Sequence, residues 1–213
     1  MGLVKEIVIS LSPQLASPLS QRLREETAQL HRDIEGQLGF PDSVQDLAAY
    51  GSCLVSYFRL YFPIESSMAA FDDWQANGIQ LAERLQAPRL IKDLMALQIA
   101  PASCAEAGQE WLPPMPDFAH ALGVFYVLEG STLGGQFILR RLQTVLGEQI
   151  KGADAFFSGH AAKSGAMWNA AKHLIDAYGE KHPDRCDDVI AGAVSAFHAV
   201  GRWMAQPPVH HPA

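Results

Sequence analysis

Two short stretches carry residue types able to do chemistry. The first is LREETAQLHRDIE (23–35). On a helix, Leu23, Thr27, Leu30, Ile34 and Leu38 form an apolar stripe, and His31 lies at its edge. A neutral imidazole binds a metal through one ring nitrogen, while the other gives its proton to an acceptor that fixes the tautomer. Glu35, one turn on, is placed to be that acceptor. Arg24 precedes His31 by two turns, about 20° away on the helical wheel and ~10 Å along the axis. A cation and a metal-binding nitrogen would then share one face. The same pattern also suits a histidine packed at a core edge between solvated charges.

The second stretch is YVLEGSTLGGQ (126–136). Its apolar spacing is helical, yet Gly130, Gly134 and Gly135 interrupt it. Each glycine inside a helix costs roughly 0.5–1 kcal/mol relative to alanine. At helical spacing, Val127, Gly130, Ser131, Gly134, Gly135 and Ile138 share one half of the helix, and Glu129 points the other way. So bare a strip serves either close helix–helix packing or the approach of a flat ligand to the main chain. The adjacent pair Gly134-Gly135 also invites a kink.

These residues need helices to hold them, and the remaining sequence supplies little else. Ser17 and Pro18 start a helix that the spacing carries to Leu38, before Gly39-Phe40-Pro41. Ser43 and Asp46 resemble a capping box. The following pattern runs to Phe62, where Pro63 is expected to kink or break it before helix resumes toward Trp74. Shorter patterns cover 79–86 and 89–98. A proline-rich loop spans 99–116. Asp117 then opens a long apolar helix that carries the glycine strip to Gly147, and helices follow at 163–179 and 185–205. No stretch alternates with period two. The expectation is an all-α, single compact multi-helix domain of seven or eight helices over 17–206. A loose arm (1–16) precedes it and a Pro-rich tail (207–213) with His210 and His211 follows.

Composition narrows the function classes. The chain has 213 residues, 48% of them apolar, and a net charge of −7. That size suits one core, and the acidity argues against nucleic acid as a partner. Cys53, Cys104 and Cys186 form no CxxC and are odd in number, which points to buried thiols in a reducing, cytoplasmic setting. The run ALGVFYVL (121–128) is too short to span a bilayer. The N-terminus lacks a signal-peptide pattern, and Glu6 stands where myristoylation needs Ser or Thr.

Asp117-x-x-His120 is half of a carboxylate-bridged di-metal pattern whose other half is missing. MWNAAKHLIDAY (167–178) is amphipathic, with Lys172 and His173 on a basic face. AFHAVGRWM (196–204) offers Phe197 and Trp203 as core.

Taken together, the stretches 23–35 and 126–136 resemble the proximal and distal helix motifs of biliverdin-producing haem oxygenases, in their order, their separation and the chain length. The likeness is greatest to the bacterial enzymes that accompany bacteriophytochromes. It implies an all-α fold with haem between the first helix and a kinked, glycine-rich one. It implies that His31 ligates iron, that Glu35 supports it and that Arg24 faces a propionate. Tyr126 and Lys172 are implied as further haem-binding residues. Gly130, Gly134 and Gly135 would lay backbone over the haem. It implies cleavage of haem to biliverdin, CO and Fe²⁺ with O₂. No flavin or nicotinamide motif is present, so electrons would come from a separate ferredoxin or reductase. A bacteriophytochrome would receive the bilin. One departure stands out: Ser131 occupies the position where well-studied members carry an Asp that orders water near bound oxygen. A hydroxyl carries no charge, which leaves a non-catalytic haem binder on the same fold as the alternative. Phe125 stands where some relatives have a propionate-binding Tyr.

Overall fold

The computed structural model describes residues 17–37, 42–104 and 112–206. The arm 1–16, the Gly39-Phe40-Pro41 stop and the tail with His210 and His211 lie outside them. Among the described residues there is no strand, and the fold is all-α as the periodicity predicts.

The central element is α6 (Phe118–Ser131). From Phe118 to Glu129 every residue except His120 is buried. A helix apolar all round needs neighbours on every side. Asp117 caps it, accepting the His120 N–H at 3.2 Å and the Arg185 guanidinium at 2.6 Å. The His120 ring meets the same carboxylate at 2.9 Å, and among the described residues no three or more His, Cys, Asp or Glu side chains gather as a metal-binding cluster. Its most extensive partner is α10 (Cys186–Met204). The two helices cross where Gly123 faces Gly192. A methyl on Gly123 would run into the Val189 carbonyl, and one on Gly192 into the His120 carbonyl. Among the described residues no single helix is long and apolar enough to cross a membrane.

The first helix differs from expectation. Pro18, not Ser17, is its N-cap, and no side chain caps it. It is divided into α1 (Leu19–Glu26) and α2 (Ala28–Gln37). The buried Thr27 hydroxyl donates back to the Leu23 carbonyl at 2.7 Å. Such back-bonding weakens a helix locally, and Arg24 and His31 fall in separate helices on either side of Thr27. The ladder resumes at once, since the His31 N–H donates to Thr27 O at 3.0 Å. Leu23 and Thr27 are buried, and Leu30 and Ile34 pack on the core. In α1, Ser20 donates through its N–H and hydroxyl to Asp176 of α9 (Ser164–Lys181), at 2.7 and 2.9 Å.

Further along, Asp46 alone caps α3 (Leu47–Met68), accepting the Ala49 N–H at 2.7 Å; Ser43 is not its cap. Pro63 does not break α3, which runs through to Met68. Trp74 instead belongs to a separate turn, α4 (Asp73–Ala76), and its indole donates to Met68 O. The pattern at 79–86 gives only a 3₁₀ turn, Leu81–Glu83, and the pattern at 89–98 becomes α5 (Ala87–Ala96). The long glycine helix is likewise two elements, α6 and α7 (Gly135–Leu146).

Two buried carboxylates hang the next elements in place. Glu65 of α3 accepts the N–H groups of Gln86 and Ala87 at 2.7 and 2.8 Å, at the start of α5. Asp93 of α5 accepts those of Ala155 and Phe156 at 2.9 and 2.7 Å, starting the single turn α8 (Ala155–Ser158). Burial pushes the Glu65 carboxyl up to about 7 and Asp93 up to about 6, against the pull of those N–H groups.

Alanine at Gly123 or Gly192 is expected to cost about 1–3 kcal/mol of apo stability in denaturant melts, the range for overpacking. Gly201→Ala, in the same α10 but facing open space, is expected to cost nothing. Glu65 gives a pH signature. Its folded-state value lies above its ordinary 4.5, so the folded chain holds the proton more tightly. The resulting stabilisation is complete below about 4.5 and is lost as pH rises through about 7. Glu65→Gln is expected to flatten this fall between about pH 5 and pH 7, by up to about 1.4 kcal/mol per pH unit, the linkage of one proton. An unchanged slope in a pH series of melts would count against it.

Candidate functional site

The proximal side is built on α2. His31 and Glu35 are exposed, with Nδ1 of His31 3.4 Å from Oε2 of Glu35. That separation is slightly long for a hydrogen bond and closes with a small rotation. Because Glu35 addresses Nδ1, Nε2 is the nitrogen left for a ligand. The edge of Phe197 from α10 meets the imidazole, with ring centroids 6.0 Å apart at 71°. Phe197, expected as core, thus also steers the His31 ring.

A second group gathers where α1, α6 and α9 meet. Arg24 is exposed on α1. It lies near enough to Tyr126 for its charge to act on the phenol, which burial pushes above its ordinary value. The Tyr126 ring packs on Trp168 at 5.2 Å, and Lys172 Nζ stands 5.8 Å over the same indole. Two cations, a phenol and an indole therefore share one rim, a suitable set for a carboxylate-bearing aromatic ligand. Phe125 is buried in the core beneath the Arg84 guanidinium.

The distal side is the junction of α6 and α7. Four successive N–H groups, from Thr132 to Gly135, bond to the carbonyl three residues back, at 3.2–3.3 Å. Ser131 and Thr132 hydroxyls add bonds to Leu128 O and Glu129 O at 2.6 and 2.7 Å. This tight turn, more than glycine flexibility, makes the bend, which is 40° between α6 and the segment Gly135–Ile150.

The three glycines do different things. A methyl on Gly134 would meet nothing closer than Ser131 O at 3.8 Å. One on Gly130 would touch Trp168 at 3.4 Å. One on Gly135 would lie 2.6 Å from the backbone oxygen of Phe157. Gly135 is buried, and the absence of a side chain there lets α7 close on α8.

Ser131 has a partner that the sequence did not reveal. Its Oγ is 2.7 Å from the Tyr61 hydroxyl. Since Ser131 spends its single proton on Leu128 O, Tyr61 is the donor. Burial pushes the Tyr61 phenol up to about 12, so it keeps that proton. Behind the pair lies a cavity of about 70 Å³, lined by Tyr57, Tyr61, Ser131, Ile138, Phe156 and Phe157 among others. It is far too small for a macrocycle and has room for a diatomic molecule or a water or two.

The structure thus sets, on an all-helical fold, an exposed histidine beside a carboxylate, a basic aromatic rim and a bent, bare-backbone turn. Comparison with known proteins gives the family. Residues 17–206 match the family described as Heme oxygenase, and the chain belongs to that family. Haem oxygenase 2 from Chlamydomonas reinhardtii, solved without haem, superposes with a TM-score of 0.71 at 16% identity, over 91% of this chain and all of that one. The Neisseria meningitidis haem oxygenase, solved with NO and CO bound, gives 0.65 at 18% identity, over 89% and 91%. No curated protein matches the chain by sequence.

The glycines make a clean pair of forecasts. Gly135→Ala is expected to lower apo stability by about 1–3 kcal/mol. Gly134→Ala, with ordinary helical angles and open space, is expected to raise it slightly, by roughly 0.5 kcal/mol. Melting of the two apo variants checks this, and equal losses at both positions would contradict it.

Proposed function

We propose that this chain is an oxygen-dependent haem-degrading enzyme that yields biliverdin, CO and Fe²⁺. Haem is at once substrate and cofactor, and when bound it supplies the site of O₂ activation and the carbon that is oxidised. The observation that carries the reading is the His31–Glu35 pair, exposed on α2 with Nε2 unclaimed.

The chain's own residues have separable tasks. His31 Nε2 would ligate iron, and Glu35 would accept the Nδ1 proton and so fix the tautomer and orientation of the ring. Arg24 and Lys172 take the propionates, with Tyr126 and Trp168 between them. Gly130 and Gly134, with no side chains, would let the main chain approach the haem and leave space for O₂. Ser131, held by Tyr61 and Leu128 O, presents a fixed oxygen there. A separate ferredoxin or reductase delivers electrons in this scheme, and a bacteriophytochrome is the receiver of the bilin.

The second reading is a haem-binding protein without turnover. It is favoured by the Ser131 geometry: Oγ donates to Leu128 O and accepts from Tyr61, which leaves it one lone pair and no charge for water, where an ionised carboxylate offers two acceptor oxygens.

His31→Ala is expected to change the ferric haem spectrum and abolish bilin formation, with ligation restored by added imidazole. An unchanged Soret band with full turnover would remove His31 from the site. Reducing the wild-type haem complex under air separates the two readings: loss of the Soret band with bilin and CO release supports the enzyme, and a persistent ferrous spectrum supports the binder.

A further inference from the structure

Beneath the distal bend lies a buried charged cluster that the haem reading does not use. Glu129 is the residue before Gly130, and its side chain is 1% exposed. Arg84, 8% exposed, donates to Glu129 Oε1 at 2.6 Å and to Met167 O at 3.2 Å. His160, between α8 and α9, is 6% exposed, and its Nδ1 is 3.1 Å from Arg89 Nη2. A guanidinium can only donate, so Nδ1 accepts and the proton sits on Nε2. Burial, then Arg89 and Arg84, lower the His160 value, in keeping with a neutral ring. Among the described residues, Nε2 is the one buried side-chain nitrogen or oxygen that no protein group satisfies. The Glu129 Oε1 atom in front of it is 3.9 Å away. That gap is too long for a direct hydrogen bond and suits one water bonded to both.

We propose that His160 is a positioning residue for the distal wall: it holds one buried water against Glu129, and this link, with Arg84, fixes the height of Gly130 and Ser131 over the ligand. A buried donor left unmet costs about 1–3 kcal/mol, and a bridging water removes that cost. Glu129 is thereby held from two sides, by Arg84 and by His160, each on a different element. The main chain that follows it within two residues is the wall that would limit which haem edge meets oxygen. The inference rests on the haem-degrading reading for its effect on products, but the water itself does not.

The test has two arms. In the apo protein, a high-resolution crystal structure is expected to show one water between His160 Nε2 and Glu129, and ¹⁵N NMR a neutral Nε2–H tautomer. A dry, direct contact or an Nδ1–H tautomer would overturn the proposal whatever the chain does with haem. With haem and reductant, His160→Leu is expected to shift the biliverdin isomer ratio, by up to about tenfold for the loss of one link. His160→Gln, which keeps an amide donor, is expected to restore the ratio. Should His160→Leu fail to fold, His160→Met, which also lacks a donor, serves in its place, with a shift in the same ratio. An isomer ratio identical to wild type in the folded variants would sink the positioning role.

Discussion

The structure depends on the crossing of α6 and α10. At Gly123 and Gly192 the two helices approach until only main chain separates them. Nothing larger than hydrogen fits at either position. The contact sets where α6 runs through the middle of the molecule, and so where its last turn delivers Glu129, Gly130 and Ser131. It also sets α10 beside α2, where Phe197 meets the His31 ring. Both faces of the proposed haem site are thus referred to one crossing. A change there would move His31 and the Gly130–Ser131 main chain relative to each other without touching either.

From that crossing the rest is hung by hydrogen bonds to buried acids. Glu65 fixes the start of α5, Asp93 of α5 fixes the start of α8, and α8 closes on Gly135. The distal side is therefore reached through three helices in series, each positioned by its predecessor. Such carboxylates are costly to bury, and their raised values record that cost. They tolerate it because each accepts two backbone N–H groups that would otherwise lack partners at a helix start.

Much of this was legible in the sequence. Period and caps point to an all-α fold, and Asp117 caps its helix as its position suggests, whereas at α3 the cap is Asp46 and not the Ser43 of the expected capping box. His31, Glu35 and Arg24 lie on the exposed side of α1 and α2, where their place at the edge of the apolar stripe puts them. What failed had a tertiary cause. Thr27 looks like one more stripe residue, and only its burial turns the hydroxyl back on the main chain. Pro63 looks like a stop, yet α3 runs through it, packed along its length. Gly135 cannot be told from Gly134 without knowing that Phe157 lies behind it. Gly123 and Gly192 stand alone in apolar helices, and their partnership spans 69 positions of sequence. Tyr61, Arg84 and His160 reach the site from distant elements, and no local spacing marks them.

The single turn α8 carries a consequence of its own. A four-residue helix has no stability in isolation, because one turn fixes more dihedral freedom than its hydrogen bonds return. It exists because Asp93 supplies its first bonds and Gly135 gives it a flat surface to rest on. Phe156 and Phe157, which back the small cavity, are therefore held by borrowed order. In the language of native-state exchange, this wall belongs to the same opening unit as the end of α5 and the start of α7, and its amides should trade protons together with theirs. The volume available behind Ser131 is then a property of that unit's local equilibrium, and it fluctuates on the unit's timescale, not on that of α6 and α10.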